Sequence, residues 1–311
     1  MCFPMLSFLP APLIGFFALC FLLVNTVFFA PFILAAALFR IVFPISSWQV
    51  FWTKIAIFFA SAWVSVNSAW MKLLHPMQWH IEGLESLEQN QWYFVVSNHQ
   101  SWADIFIAQH LLNWRVPMLK FFLKQELIWV PIIGLCWWAL DFPFMKRYSA
   151  PYLKKHPEKR GKDYESTLKA CEKFKRSPVA IMNYLEGTRF TAEKHKKQNS
   201  PLHYLLKPKT GGIGYALSAM GENIQQLLNI TIFYPNHQQP GFWDFLSGKV
   251  NHVCIRIEQK SIPADFLGKN YMQDREFKTN FNQWVNELWQ EKDQAMADLH
   301  EYSKELAWSQ S

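Results

Sequence analysis

The chain is 311 residues long, 50% apolar and 18% charged, which excludes a disordered protein and leaves one large domain, or one ordinary domain with an accessory element. No acidic residue precedes Glu82, and the basic side chains before it are Arg40, Lys54 and Lys72, a pattern a freely soluble globular enzyme rarely carries. The net charge of +7 is equalled by the stretch from Lys146 to Arg176 alone, with eleven Lys/Arg and four Asp/Glu, whereas Ser261 to Ser311 has five basic and nine acidic residues. So concentrated a basic segment suits an anionic partner, either phospholipid head groups or nucleic acid.

From Ala11 to Phe39 the chain is almost purely apolar, broken by Asn25 and Thr26. As a helix this segment rises roughly 43 Å, more than the ~30 Å hydrocarbon core, so it must tilt, bend or re-enter, and Pro31 offers a place to bend. It lacks the basic leader and small-residue cleavage site of a signal peptide and reads as an anchor. A second apolar segment, about Val50 to Leu74, carries Trp52, Trp63 and Trp70, and Trp48 just precedes it. Tryptophan favours the membrane–water boundary, so this helix is expected to lie in or partly across the interface. Arg40 and Lys54 flank the turn between the segments and place it on the cytoplasmic side.

Beyond the anchor, Trp92 to Ser97 reads as a buried strand leading into Asn98-His99-Gln100-Ser101-Trp102-Ala103-Asp104 and then a helix. A helix is expected over Asp163 to Arg176, with Tyr164, Leu168, Cys171 and Lys175 on one face. Further strands are expected at Val179 to Leu185, Ile230 to Tyr234 and Val253 to Ile257, and an amphipathic helix over about Asp274 to Leu299. The alternation predicts an α/β fold: a mixed, mostly parallel sheet flanked by helices and preceded by a two-helix membrane motif. The expected divisions are residues 1–75 for the anchor, 76–262 for the α/β domain and 263–311 for the helix packing on it. Cys2, Cys20, Cys136, Cys171 and Cys254 are far apart, without zinc spacing, and read as free thiols.

His99 and Asp104 are the sharpest chemical pair. A general base needs an imidazole near the proton it removes and a carboxylate on the other ring nitrogen. On a uniform helix this i, i+5 pair would diverge by ~140°, so the reading requires a break in helix geometry at the strand end. The spacing alone is cheap: His80/Glu85 and His300/Glu305 repeat its glutamate form. Its company matters more. Glu186-Gly187-Thr188-Arg189 ends a second strand, Phe144-Met145-Lys146-Arg147 adds two cations, and Lys207-Pro208-Lys209 precedes a helix expected at Gly211. Arginine forks and helix N-termini both suit phosphate.

These blocks resemble the glycerolipid acyltransferases related to 1-acylglycerol-3-phosphate acyltransferase. Asn98-His99 and Asp104 match the N-H-x4-D block, with Ser101 as often seen there. Gly134, Phe144 and Arg147 match a second block loosely, and Glu186 to Arg189 match E-G-T-R fully. Ile230 to Pro235 keeps the strand and proline of the fourth, although Leu228-Asn229 stand where Val-Pro is common. The longer wording from Trp138 to Arg147 resembles a bacterial subgroup of probable inner-membrane acyltransferases.

The resemblance implies a bacterial inner-membrane enzyme with its catalytic domain facing the cytoplasm. His99 would deprotonate the hydroxyl of a lysophospholipid acceptor for attack on acyl-CoA or acyl-carrier protein, and Asp104 would orient His99. Substrate binding would fall to Asn98, Ser101, Lys146, Arg147, Glu186, Gly187, Thr188, Arg189 and Lys209. No metal or cofactor is expected, and the partners are membrane lipid and the two substrates, with no nucleic acid. Two alternatives stand beside this: another lysolipid acceptor, or a non-catalytic membrane protein that binds anionic lipid or RNA through its basic segment. The sequence has no G-x-S-x-G elbow, no P-loop and no H-E-x-x-H, which weighs against a serine hydrolase, a nucleotide-dependent enzyme and a zinc hydrolase.

Overall fold

The computed structural model describes residues 9–74, 77–145, 152, 155–156, 162–235 and 239–309. It begins with a helical hairpin, α1 (Ala11–Val42) and α2 (Ser46–Leu74). Each helix is long and apolar enough to cross a membrane. Pro31 lies within α1 without ending it. The buried face of α1 runs through Ile14, Ala18, Asn25, Ile33 and Ala37, the three- and four-residue spacing of one helical stripe. Small residues there let α2 approach closely. Asn25 bridges the pair, its Nδ2 donating to the Trp63 carbonyl (3.1 Å) and to Asn67 Oδ1 (2.8 Å). The opposite faces expose Val24, Phe28, Leu38 and Phe58.

The remaining elements, in chain order, are β1 (Gln78–Glu82), β2 (Tyr93–Ser97), α3 (Ala103–Leu112), β3 (Leu119–Phe121), β4 (Leu123–Lys124), α4 (Ile133–Ala139), β5 (Phe144–Met145), α5 (Lys162–Phe174), β6 (Ala180–Tyr184), α6 (Ala192–Gln198), α7 (Gly211–Met220), β7 (Gln226–Phe233), α8 (Phe242–Leu246), β8 (His252–Ser261) and α9 (Arg275–Ser309). Six strands form a sheet in the order β1-β8-β7-β2-β6-β3, with every pairing parallel except β7–β8. The expected mixed, mostly parallel sheet is therefore present, and β2 lies at its centre. Alternation along β2 divides the core: Phe94 and Val96 join α5, α7 and α9 on one face. Tyr93 and Val95 join α3, α8 and the hairpin residues Ala18 and Met71 on the other.

Several boundaries differ from the sequence reading. β1 and β3 were not anticipated, because Gln78-Trp-His-Ile-Glu82 is a half-exposed strand rich in polar residues and Leu119-Lys-Phe121 is very short. β7 starts at Gln226, four residues early, and α9 runs on to Ser309. Lys175 does not share the buried face of α5: the helix stops at Phe174, and Lys175 pairs with Glu172 at 2.9 Å.

The hairpin lies along the α/β unit and does not project from it. Near one end of α1, Gly15 packs so tightly on the Trp243 indole that a Cβ there would lie 3.0 Å from the ring. At the other end, Arg40 bonds Asp141 at 2.5 Å. α4 packs between these points, with Cys136, Ala139 and Leu140 against Ala30, Ile33 and Ala37. Its outer side exposes Leu135 and Trp138, and the turn before it leaves Trp129 85% exposed. Gly134 at the start of α4 is required by close approach, since a Cβ there would lie 2.2 Å from the carbonyl oxygen of Ile128. Backbone cannot yield as a side-chain tip can, so Gly134→Ala should destabilise by about 1–3 kcal/mol, read as a lower thermal midpoint of the purified protein. An unchanged midpoint would mean the turn before α4 is not held in this packing.

Candidate active site

β2, β6 and β7 run parallel, so their carboxyl ends lie together, and the candidate groups gather there. The residues after Ser97 leave the strand and do not become helical until Ala103, which supplies the break that the His99–Asp104 pair requires. Asp104 sits in the first turn of α3, fully buried, and His99 Nδ1 lies 2.9 Å from its Oδ2. The same oxygen accepts the backbone N–H of Gln100 (2.7 Å) and of Ser101 (2.9 Å), while Oδ1 accepts the Tyr234 hydroxyl at 2.6 Å. A carboxylate surrounded by donors must also accept from His99. The imidazole proton is thereby placed on Nδ1 and the lone pair on Nε2.

The ring is fixed from two further directions. Tyr184, the last residue of β6, stacks on His99 with centroids 4.1 Å apart, and its buried hydroxyl has no hydrogen-bond partner among the described residues. The His99 backbone is gripped on both sides by the Glu186–Phe190 segment: its N–H donates to Glu186 Oε1 (3.0 Å), and its carbonyl accepts the Phe190 N–H (2.7 Å). Glu186 is fully buried, and its second oxygen accepts from the Leu206 N–H at 3.2 Å. Burial pushes this carboxyl up to about 8, against the pull of those two N–H donors.

Three residues of the expected substrate-binding set lie beneath the site. Asn98, Ser101 and Glu186, expected among the substrate-binding groups, are all buried and hydrogen-bonded within the protein. Asn98 Nδ2 donates to the Ile232 carbonyl (2.8 Å) and its Oδ1 accepts the Ile232 N–H (2.9 Å), tying the end of β2 to β7. Ser101 Oγ donates to the Pro240 carbonyl at 2.6 Å and accepts the Ala103 N–H at 3.0 Å. With Glu186, they hold the His99 turn in shape.

The cationic side of the site does reach solvent. Gly187 has φ +67°, and a Cβ there would lie 3.0 Å from Nζ of Lys209, so the glycine lets that ammonium lie against the turn. Exposed Arg189 lies over the Trp102 ring at 5.1 Å. Thr188 Oγ1 and the Arg189 carbonyl each accept Lys194 Nζ at 2.9 Å. Arg189, Lys194 and Lys209 therefore surround one turn, and among the described residues none has an acidic partner. Lys146 and Arg147 lie outside the described residues, as does most of the basic stretch from Lys154 to Lys162. The pairing of β4 with β5 sets Lys124 opposite Met145, just before them.

With this geometry in view, similarity to known proteins can be stated. A family model described as Acyltransferase matches residues 78–233, half of the chain, and takes in both His99 and the Glu186–Arg189 turn. The chain belongs to the acyltransferase family. It is 28% identical over 215 residues to mouse 1-acyl-sn-glycerol-3-phosphate acyltransferase gamma, covering 64% of this chain and 51% of that one. Rat 1-acyl-sn-glycerol-3-phosphate acyltransferase delta is 28% identical over 216 residues, covering 64% and 50%. The chain thus spans about half the length of these curated relatives. The crystal structure of the LPA acyltransferase PlsC from Thermotoga maritima matches with a TM-score of 0.51 and 18% identity, over 89% of this chain and 94% of that one. That likeness establishes a shared fold.

The sequence reading missed Tyr184, Tyr234, Lys194 and Lys292. Tyr184 and Tyr234 were recoverable, since each stands at the carboxyl end of a strand neighbouring β2. Lys292 was not. It lies mid-way along α9, fully buried, with its ammonium on the Ile230 carbonyl, and burial lowers it to about 7.

Glu186 yields a pH test. Its folded pKa lies above the ~4.3 of a free glutamate, so between that value and about 8 the folded state holds a proton that the unfolded state has lost. Its contribution to stability therefore falls as pH rises through this window. Glu186→Gln cannot ionise but loses one acceptor. Its thermal midpoint should start below wild type near pH 5 and close the gap toward pH 8; a gap independent of pH would place the carboxyl in its ordinary range.

Proposed function

We propose that the chain is a membrane-bound O-acyltransferase that moves a fatty acyl group from acyl-CoA or acyl-carrier protein to the free hydroxyl of a lysophospholipid, with 1-acylglycerol-3-phosphate as acceptor and phosphatidic acid as product. The observation that carries the proposal is the His99–Asp104 pair at 2.9 Å, locked by Tyr234 and Glu186 beside a turn surrounded by three cations without acidic partners among the described residues. The acceptors named for the curated relatives point to the same substrate class.

In this mechanism Nε2 of His99 takes the hydroxyl proton as the oxygen attacks the thioester carbonyl, while Asp104 supports the imidazolium that forms. The tetrahedral intermediate collapses with cleavage of the C–S bond, and His99 returns the proton to the departing thiolate. Arg189, Lys209 and Lys194 hold the acceptor phosphate through charge-assisted hydrogen bonds, joined in the proposal by Lys146 and Arg147. Every step uses side chains and the two substrates, so no cofactor is assigned. Tight positioning of His99 matters because oriented reactants gain rate from proximity alone.

A membrane setting is supported by α1, α2 and the exposed apolar surface that continues onto Trp129, Leu135 and Trp138. Because α1 touches the α/β unit near both ends, the arrangement favours a hairpin seated in one leaflet over a pair of helices standing clear across the bilayer. The proposed location is the bacterial inner membrane, with the catalytic face toward the cytoplasm.

The test is transfer from labelled acyl-CoA, and separately acyl-carrier protein, to 1-acylglycerol-3-phosphate, using membranes with equal amounts of each variant. His99→Ala and Asp104→Asn should each lower kcat by roughly 10²–10⁴-fold, the range of general-base catalysis. Arg189→Ala should mainly raise KM for the acceptor. Wild-type rates in His99→Ala would overturn the mechanism, and activity confined to another lysolipid would replace the acceptor.

A further inference from the structure

A cavity of about 520 Å³ lies well apart from the His99 site, at the amino-terminal ends of β2, β3 and β6. One wall is the end of α1 and the first half of α2, with Arg40, Gln49 and Lys54. The other is formed by the chain entering β3, with Lys120, and by the end of α5 and the residues after it, with Lys173 and Arg176. Five basic side chains thus line the cavity beside one carboxylate, Asp141.

That carboxylate is already engaged. Asp141 accepts Arg40 at 2.5 Å and Lys173 at 2.7 Å; burial alone would raise it, but Lys173, Arg40 and the nearby charge of Lys120 outweigh burial and hold it below the usual range. Lys54, Lys120 and Arg176 remain without an ion pair among the described residues, although Lys120 feels the Asp141 charge at longer range. Lys120 is only 7% exposed, its ammonium lies over the Phe174 ring at 4.7 Å, and it has no hydrogen-bond acceptor among the described residues. Among the described residues Arg176 reaches no acid, its hydrogen bond being to Gln49 Oε1 at 3.5 Å. Of the three, only Lys120 is buried, and a largely buried ammonium without an acceptor is costly, so an anion in the cavity would complete it, with Lys54 and Arg176 exposed beside it.

We propose that this cavity binds the phosphate of an anionic membrane phospholipid, at a site distinct from the one that binds the acceptor. Lysine and arginine are the side chains suited to phosphate. A lipid is favoured over a soluble anion because the surrounding surface is apolar: Phe51 and Phe58 of α2, Ile41, Val42 and Phe43 at the end of α1, and Trp114 beside the cavity are all exposed. A phosphate seated on Lys120 and Arg176 leaves its acyl chains to run along this surface, where a soluble phosphoester gains nothing. The inference rests on the membrane setting and not on acyl transfer, so the two fail separately.

The test uses full-length protein in phosphatidylcholine nanodiscs in which phosphatidylglycerol replaces a rising share of the lipid, with thermal unfolding as the readout and no substrate present. Wild type should gain roughly 4 °C or more and saturate, as expected for a ligand bound only by the folded state. Lys120→Met should unfold at a higher temperature than wild type in phosphatidylcholine alone, because it removes the unpartnered ammonium, and should lose the phosphatidylglycerol response. Arg176→Gln, at an exposed position, should match wild type in phosphatidylcholine and respond weakly, so the test survives if Lys120→Met folds poorly. Lys196→Gln with Lys197→Gln, on α6, should keep the full response. The proposal is overturned if Lys120→Met and Arg176→Gln respond as wild type, if the α6 pair loses the response too, or if inorganic phosphate reproduces the rise and phosphatidylglycerol adds nothing.

Discussion

A buried carboxylate is tolerated only when donors meet its oxygens, and Asp104 makes that requirement the organising constraint of this fold. Its four donors come from separate places: the His99 ring, two successive backbone N–H groups of the same turn, and a tyrosine at the end of β7. They converge only if β7 lies directly beside β2 and in parallel, so that Tyr234 reaches across. Asn98 enforces this by pairing with both backbone groups of Ile232. On the other side of β2, Glu186 at the end of β6 holds the His99 backbone. The neighbours of the central strand therefore both end in polar residues that fix the same imidazole.

This explains how much of the site was legible in the sequence. The strands flanking it were visible because β2, β6 and the second half of β7 are nearly continuous apolar runs, as expected for strands covered on both faces. His99 and Asp104 were visible as a spacing, and Arg189 and Lys209 as cations at element ends. The direction in which a side chain points was not. Asn98, Ser101 and Glu186 sit inside the motif blocks, and nothing in one sequence separates a polar group that meets a substrate from one that supports the turn. Lys292 was less accessible still, because a lysine on an amphipathic helix ordinarily faces water. The edge strands β1 and β3 escaped notice because their stability comes from partners, not from their own composition.

Charge is also divided in a way that composition only hints at. Around the His99 turn, the exposed groups are cationic while the buried acids face inward. At the far ends of the same strands, Asp141 gathers Arg40 from the hairpin and Lys173 from α5, joining three parts of the chain through one carboxylate. Isolated surface ion pairs contribute little, but this one is largely screened from solvent on the acid side, where Asp141 is 11% exposed.

The two attachments of α1 have a mechanical consequence. A helix free at one end answers a change in bilayer thickness by tilting. Here Gly15 is seated on Trp243 and Arg40 is tethered to Asp141, so a tilt would have to tear one contact or carry the whole sheet with it. In the proposed membrane setting the stiff body is the protein and the compliant one is the lipid. The leaflet must thin or swell around the hairpin, and the imidazole keeps a fixed position relative to α1 as the composition of the membrane changes.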